Sequence, residues 1–265
     1  MYLEKLLVTL LAAPVIAPVP STLSHQVVAQ APAQQAPAPT AAPKATEAPK
    51  PAEAPKATEA PKPAEKKASS PEVTELVTRM QSFYEKTQDF SSEFKQDYKY
   101  KALRRTQTST GKVTYKKPGL MRWEYEKPSA RTFVLAGEKV YAYDPAAQTL
   151  SVGRIDTTQL SASVTFLFGQ GKLADEFSIS KGACKDCKGT LLVLDPLKAD
   201  PRFRQVRLEV DPKTAQVLKS TVVDPDGSEN TIAFLNLKTN VGVAADSFKL
   251  NPPEGTRIDD YTKRK

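Results

Sequence analysis

Histidine is almost missing from this chain. Of 265 residues only His25 carries an imidazole, and it falls in an N-terminal stretch expected to be removed. A mature chain without histidine can run neither Ser-His-Asp nor Cys-His catalysis, and it has no imidazole for a metal. Cysteine is nearly as scarce, with Cys184 and Cys187 alone. One Cys-x-x-Cys lacks the further ligands of a zinc site, and no βαβ pattern surrounds it to suggest thioredoxin-like redox chemistry. No Gly-x-x-x-x-Gly-Lys loop is present to cradle a nucleotide phosphate. We therefore expect no metal and no cofactor. Long apolar runs are also lacking. Leu6–Ala13 is of secretory length and too short for about 30 Å of hydrocarbon.

Charge of one sign is in excess, with a formal +8 and a pI near 9.3. A basic balance can favour nucleic acid or anionic membranes. Here Lys and Arg alternate with Asp and Glu almost throughout, and the nearest thing to a patch is Lys99, Lys101, Arg104 and Arg105. No aromatic-plus-basic RNA-binding signature occurs, so nucleic acid is not an expected partner. Glu124, Glu126, Asp224 and Asp226 are candidates for a hydrolytic carboxylate pair. Their alternation along strands reads more simply as an exposed polar face, and an enzyme is not expected.

What is abundant is proline, at 22 residues, and it crowds the first quarter of the chain. Residues 1–29 read as a signal peptide: Lys5, then the apolar run, then Pro14, Pro18 and Pro20, with small residues for cleavage at Val27 and Ala29. Left uncleaved, the segment would be an inner-membrane anchor. No Cys lies near the cleavage region, so the chain is not itself lipidated there. Residues 30–70 form an Ala/Pro/Lys/Glu tract in which the stretch from Lys44 to Pro55 begins to repeat at Lys56. Such a tract buries no core and reads as a disordered linker. The foldable domain is 71–265, long enough for one sizeable core.

That domain opens with a helix. Ser70 can cap it, Pro71 suits the first helical position, and Glu72 and Glu75 favour its positive end. Val73, Leu76, Val77, Met80, Phe83 and Tyr84 recur at helical spacing as one apolar stripe. The period then becomes two. Phe90, Ser92 and Phe94 open a strand. After Gly111 the alternation places Val113, Tyr115 and Lys117 on one face. After Pro118 and Gly119 it places Met121, Trp123 and Tyr125 opposite Arg122, Glu124 and Glu126. Phe133–Leu135, a turn at Ala136–Glu138 and Val140–Tyr143 read as a hairpin. Further strands are expected over Thr149–Ile155, Glu176–Ser180, Thr190–Leu194, Gln205–Val210, Val217–Val223 and Thr231–Leu237. Ser161–Phe168, apolar and ended by Gly169, reads as a second short helix. Short strands at this spacing mean an antiparallel sandwich or barrel. With two helices of apolar face they imply a mainly β fold with α, a strongly curved antiparallel sheet whose concave side the helices fill or lid.

Three stretches resemble the outer-membrane lipoprotein carrier (LolA) family. The first runs from Phe90 to Gln96, with Phe94 two before the glutamine. The second runs from Gly111 to Trp123, where basic Lys117 precedes Pro118 and Trp123 follows five positions later. The third is the Phe-x-x-x-Pro-Pro-x-Gly ending from Phe248 through Pro252 and Pro253 to Gly255. Order and spacing also agree, over about Pro71 to Asp260. The resemblance implies an incomplete antiparallel β-barrel, covered by helices and enclosing a hydrophobic cavity. It implies acyl chains of lipoproteins as cargo, taken from an inner-membrane ABC-type release complex and delivered to an outer-membrane acceptor. The expected setting is the periplasm, and the expected state is monomeric. Cavity-lining candidates are Val113, Tyr115, Lys117, Met121, Trp123, Phe133, Leu135, Phe166 and Phe168. Plain core packing is the alternative for each of the apolar ones. Many members carry Arg where Lys117 stands, and their equivalent residue looks inward and hydrogen-bonds the lid. The alternative for Lys117 is a strand-end residue that snorkels to water. The Pro-rich arm lies outside the family pattern. A sensor of lipid or lipoprotein in an envelope stress pathway is the rival reading, although such proteins usually carry a second domain.

In an oxidising compartment, Cys184 and Cys187 are expected to form a disulfide that pins the hairpin between Phe177–Ser180 and Thr190–Leu194.

Overall fold

The computed structural model describes residues 69–155 and 171–262. The proposed signal peptide, nearly all of the proline-rich arm, and the Ser161–Phe168 helix with Phe166 and Phe168 lie outside the described residues.

Helix α1 spans Pro71–Lys86. The Ser70 side chain accepts from the Val73 amide, Pro71 occupies the first turn, and Val73, Leu76, Met80 and Tyr84 form its buried stripe. Among the described residues twelve strands follow in one open, strongly curved sheet. They are β1 (Asp89–Tyr100), β2 (Arg105–Lys116), β3 (Leu120–Lys127), β4 (Arg131–Ala136), β5 (Lys139–Asp144), β6 (Thr149–Arg154), β7 (Phe177–Lys181), β8 (Thr190–Pro196), β9 (Gln205–Val210), β10 (Val217–Val223), β11 (Glu229–Thr239) and β12 (Arg257–Asp260). A single-turn helix α2, Leu173–Glu176, leads into β7.

The sheet order is β12-β6-β5-β4-β3-β2-β1-β11-β10-β9-β8-β7. Every pairing is antiparallel except at one edge, where β12 lies parallel to β6, with Arg257 opposite Thr149. Two long meanders thus meet where β1 pairs with β11. The first is longer than its apolar pattern suggests. Strand β2 begins at Arg105, six residues before Gly111, in a Thr- and Ser-rich stretch that has strand propensity but no hydrophobic alternation.

Register carries one inner face across the whole sheet. Phe94 faces both Gly111 and Phe234, Val113 faces Trp123, Tyr115 faces Met121, and Met121 faces Leu135. On the other meander Leu208 pairs with Leu192, and Leu194 with Ile179. The face divides into two apolar clusters. One packs the α1 stripe on Leu173, Phe177, Ile179, Leu192, Leu194, Val206 and Leu208. The other gathers Phe90, Phe94, Val113, Tyr115, Met121, Trp123, Tyr125, Leu135, Val140, Ile155 and Ile232.

Helix α1 ties the two meanders together. At its N-terminal end the Ser69 hydroxyl donates to the Ile179 carbonyl at 2.7 Å, and Glu72 pairs with Lys181 at 2.7 Å. At its C-terminal end it meets Lys117, beyond β2. A 16-residue helix is a rod of about 24 Å, whereas β7 and β2 stand six places apart, which on a flat sheet would be about 29 Å. The helix therefore lies as a chord across a curved sheet.

The convex face is covered in part, over β3 and β4. The 3-10 turn Ala245–Phe248 packs on β3 and β4 and buries Phe248. The Arg122 guanidinium donates to the Ser247 and Lys249 carbonyls, at 3.4 and 3.3 Å. Val134, which faces Arg122, is accordingly as buried as its neighbour Leu135, although the two point to opposite faces.

Candidate functional site

The second cluster lines the concave face of β1 to β5. Its β2 and β3 members are placed by strict alternation, and the two strands are held close by Gly111. A Cβ at that position would lie 1.9 Å from the Glu124 carbonyl oxygen and 3.0 Å from Phe94 Cε1. The register between β2 and β3 shifts at this point, between Thr110 and Gly111. Phe94 rests in the space so left, with its ring centroid 4.8 Å from Trp123 and 5.1 Å from Tyr125. Phe90 covers Tyr115 at 5.2 Å and Phe133 meets Tyr125 at 5.8 Å. Such aromatic pairs add to the area they bury.

The structure brings Val113, Tyr115, Met121, Trp123 and Leu135 together as buried members of this cluster, with Phe133 partly buried against it. Phe166 and Phe168 lie outside the described residues. Sequence reasoning left out Phe90, Phe94, Tyr125, Val140, Ile155 and Ile232. The alternation that placed Trp123 carried Tyr125 as well; the β11 contribution depends on a pairing between distant strands.

Lys117 is partly buried at the end of β2. Its ammonium donates to the carbonyls of Tyr84 at 3.2 Å and Glu85 at 2.6 Å, and its own amide donates to the Gln88 carbonyl at 2.8 Å. A helix leaves its last carbonyls unpaired and carries negative partial charge at that end, so a cation there is favourable. The Thr87 amide and hydroxyl take the Phe83 carbonyl. The ammonium thus completes the cap on α1.

Polar groups on the concave face are mostly paired. Gln96 donates to Asn230 at 2.9 Å, both buried. The Tyr84 hydroxyl accepts from the Val217 amide at 3.2 Å. Burial pushes the Tyr115 phenol up to about 12, against a partly offsetting hydrogen bond from the Gly119 amide, so the group stays neutral.

The candidate carboxylates do not form one site. Glu124 pairs with Arg122 and Glu126 with Lys112, on the convex side. Asp224 accepts from the Tyr98 phenol, and Asp226 holds Ser228 in the β10–β11 turn. Burial, with repulsion from Asp226, lifts the Asp224 carboxyl above its ordinary range despite the Tyr98 contact. Among the described residues no group of three or more His, Cys, Asp or Glu is placed to hold a metal.

Comparison with known proteins turns this geometry into a family assignment. Residues 85–251 match the family model described as outer membrane lipoprotein carrier protein LolA. The chain belongs to the LolA family. The matched span takes in every strand from β1 to β11, and with them the concave face. An outer-membrane lipoprotein carrier protein from Dechloromonas aromatica is 27% identical over 183 residues, covering 69% of this chain and 86% of that protein. One from Pseudomonas aeruginosa strain UCBPP-PA14 is 26% identical over 186 residues, with the same coverage. A crystal structure of an uncharacterized conserved protein from Thermus thermophilus shares 11% identity at a TM-score of 0.47, covering 71% of this chain and 98% of that one. The LolA family is one of binding and transport proteins.

Away from the concave face, Cys184 and Cys187 are joined in the β7–β8 loop with Cα atoms 5.6 Å apart. That loop returns over β9, where the Lys188 and Gly189 amides donate to buried Glu209 at 2.6 and 3.2 Å. Burial raises the Glu209 carboxyl, but the Lys219 ammonium at 2.8 Å and the two amides outweigh it, and the group ends below its ordinary range. Intact mass of the non-reduced protein should be lighter than that of the reduced form by one pair of hydrogens. Two titratable thiols in the non-reduced protein would contradict the bond.

Proposed function

We propose that this chain is a periplasmic carrier, acting as a monomer, that holds the acyl chains of lipoproteins against the concave face of its sheet. It receives them from an inner-membrane ABC-type release complex and passes them to an outer-membrane acceptor. The signal peptide takes the chain across the inner membrane. The carrying observation is that the span matched by the family model encloses a continuous inner face of apolar and aromatic side chains from β1 to β5. Val113, Tyr115, Met121, Trp123, Phe133 and Leu135 line the acyl site in this reading, and Lys117 governs the α1 end that borders it; Phe166 and Phe168, expected from sequence to join them, lie outside the described residues.

Energetics favour such a role over free diffusion. Each buried methylene is worth roughly 0.8 kcal/mol, so one sixteen-carbon chain holds a membrane by about 12 kcal/mol. Two or three such chains would exceed the practical ceiling of about 20 kcal/mol for noncovalent affinity. Unassisted desorption is then too slow to serve transport. A carrier must offer comparable apolar surface and hand its cargo directly to the next protein. Energy for loading comes from the release complex, and the carrier performs no chemistry.

The test is the molecule that accompanies the protein out of the periplasm. Mass spectrometry of gently purified protein should find intact acylated lipoproteins. Free lipid alone, or a stoichiometric signalling protein, would instead favour the sensor reading.

A further inference from the structure

Two hydrogen-bond donors are buried on the concave face of β3 without an adequate acceptor. The Tyr125 hydroxyl is shut off from solvent and has no hydrogen-bond partner among the described residues, on a residue only 4% exposed. Two residues earlier on the same face, the Trp123 indole N–H reaches the Met121 thioether sulfur at 2.9 Å, a weak acceptor. Both rings belong to the aromatic group around Phe94.

Buried polar groups in folded proteins nearly always find partners, and an orphaned hydroxyl is destabilising where a ring of the same shape without it is not. Neighbours on this face obey the rule, as the Gln96–Asn230 pair and the Tyr115–Gly119 contact do. Packing alone would be met by Phe at position 125. Burial also pushes the Tyr125 phenol well above its ordinary range, so it is a neutral donor at any physiological pH. An apolar setting penalises an anionic partner. The acceptor that suits it is therefore neutral and enters together with hydrocarbon. Phe133, partly buried, packs edge-on against the Tyr125 ring, so the ring that carries the hydroxyl adjoins a partly exposed member of the cluster.

We propose that Tyr125 is a specificity-determining residue of the acyl site, whose hydroxyl, seconded by the Trp123 indole N–H, donates to the carbonyl oxygen of an acyl ester. The proposal rests on the carrier reading and names the polar group of the cargo that this site recognises. Hydrocarbon by itself gives non-directional burial. The ester carbonyl is the polar group at the head of an O-linked acyl chain, and a donor fixed within the cluster sets the depth at which such a chain stops.

The experiment compares two glycerolipids with identical chains, one ester-linked and one ether-linked, bound to the full chain and to its Tyr125→Phe variant. The wild type should bind the ester-linked lipid roughly five- to tenfold more tightly, the worth of about one net hydrogen bond. The Tyr125→Phe variant should bind both alike, at the ether level, and should melt no lower than the wild type, because the deleted hydroxyl had no partner. Equal binding of the two lipids by the wild type would overturn the proposal. So would a Tyr125→Phe variant that keeps the preference, or one that melts several degrees lower. If the wild type binds neither lipid, the carrier reading fails and this inference falls with it.

Discussion

Replacing Gly111 by alanine should unfold the β2–β3 junction and lower the melting temperature by about 6–12 °C. The added Cβ has no room: it would stand 1.9 Å from the Glu124 carbonyl oxygen and 2.9 Å from its carbon. These are backbone atoms of the paired strand, so no side-chain rotation relieves the contact. Strand β2 must move from β3, and Phe94, which rests over Gly111, must move with it. Overpacking typically costs about 1–3 kcal/mol and more where backbone must shift, so about 3 kcal/mol is expected. For a domain of this size each kcal/mol is worth roughly 2–4 °C. Gly119→Ala is the control. Gly119 has φ +68 and open space around a Cβ, so the penalty there is only the left-handed backbone, roughly 1–2 kcal/mol. Melting curves of the two variants decide the matter. A Gly111→Ala protein as stable as the Gly119→Ala control would contradict the described junction.

The second large effect is functional. Substituting Lys117→Leu should tighten cargo retention about tenfold and slow hand-off correspondingly, with the domain still folded. The ammonium ties the Tyr84 and Glu85 carbonyls at the end of α1 to the β2–β3 turn. If α1 swings to admit acyl chains, that tie exists only in the unloaded form. Contacts confined to one state bias the equilibrium toward it by their own free energy. A charged hydrogen bond at a partly exposed site contributes about 1.5 kcal/mol, which is roughly tenfold in affinity. Lys117→Leu removes the bias toward the empty form. Lys117→Arg, with its five-donor fork, should do the reverse and weaken retention. The readout is transfer of a loaded lipoprotein to outer-membrane acceptor in vitro, alongside melting curves. Wild-type retention and transfer in both variants would reduce Lys117 to a helix cap without a part in transport.

Helix α1 was legible because its signals are local: a Ser cap, a Pro in the first turn and a stripe at helical spacing all fall within one segment. Strands β9 and β10 agree residue for residue with the expected Gln205–Val210 and Val217–Val223, since alternation and flanking turn residues define them. Strand β3 was legible for the same reason, and its inner face supplies Met121, Trp123 and Tyr125. Three features depend on contacts far apart in the chain and left no periodic trace. The first half of β2 is polar and owes its form to pairing with β1. Val134 is buried because the chain returns over the convex face more than 100 residues later, through Ala245–Phe248. Lys117 could be placed on the apolar face by counting, but the carbonyls it caps belong to a helix about 30 residues earlier. A missing partner, as at Tyr125, is invisible to any pattern, because only packing reveals what a side chain fails to meet.

The carrier account stands most directly on whether the acyl groups themselves are what this protein holds. Membrane vesicles bearing a labelled lipoprotein, with the release complex and ATP, should yield a soluble complex with the purified carrier that passes its cargo to acceptor-containing outer-membrane vesicles. The same cargo with its lipid-bearing cysteine replaced by serine, and therefore unacylated, should form no complex and should not compete. Equal capture of the acylated and unacylated forms would show that the polypeptide and not the acyl chains is recognised, and the concave face would then not be the cargo site.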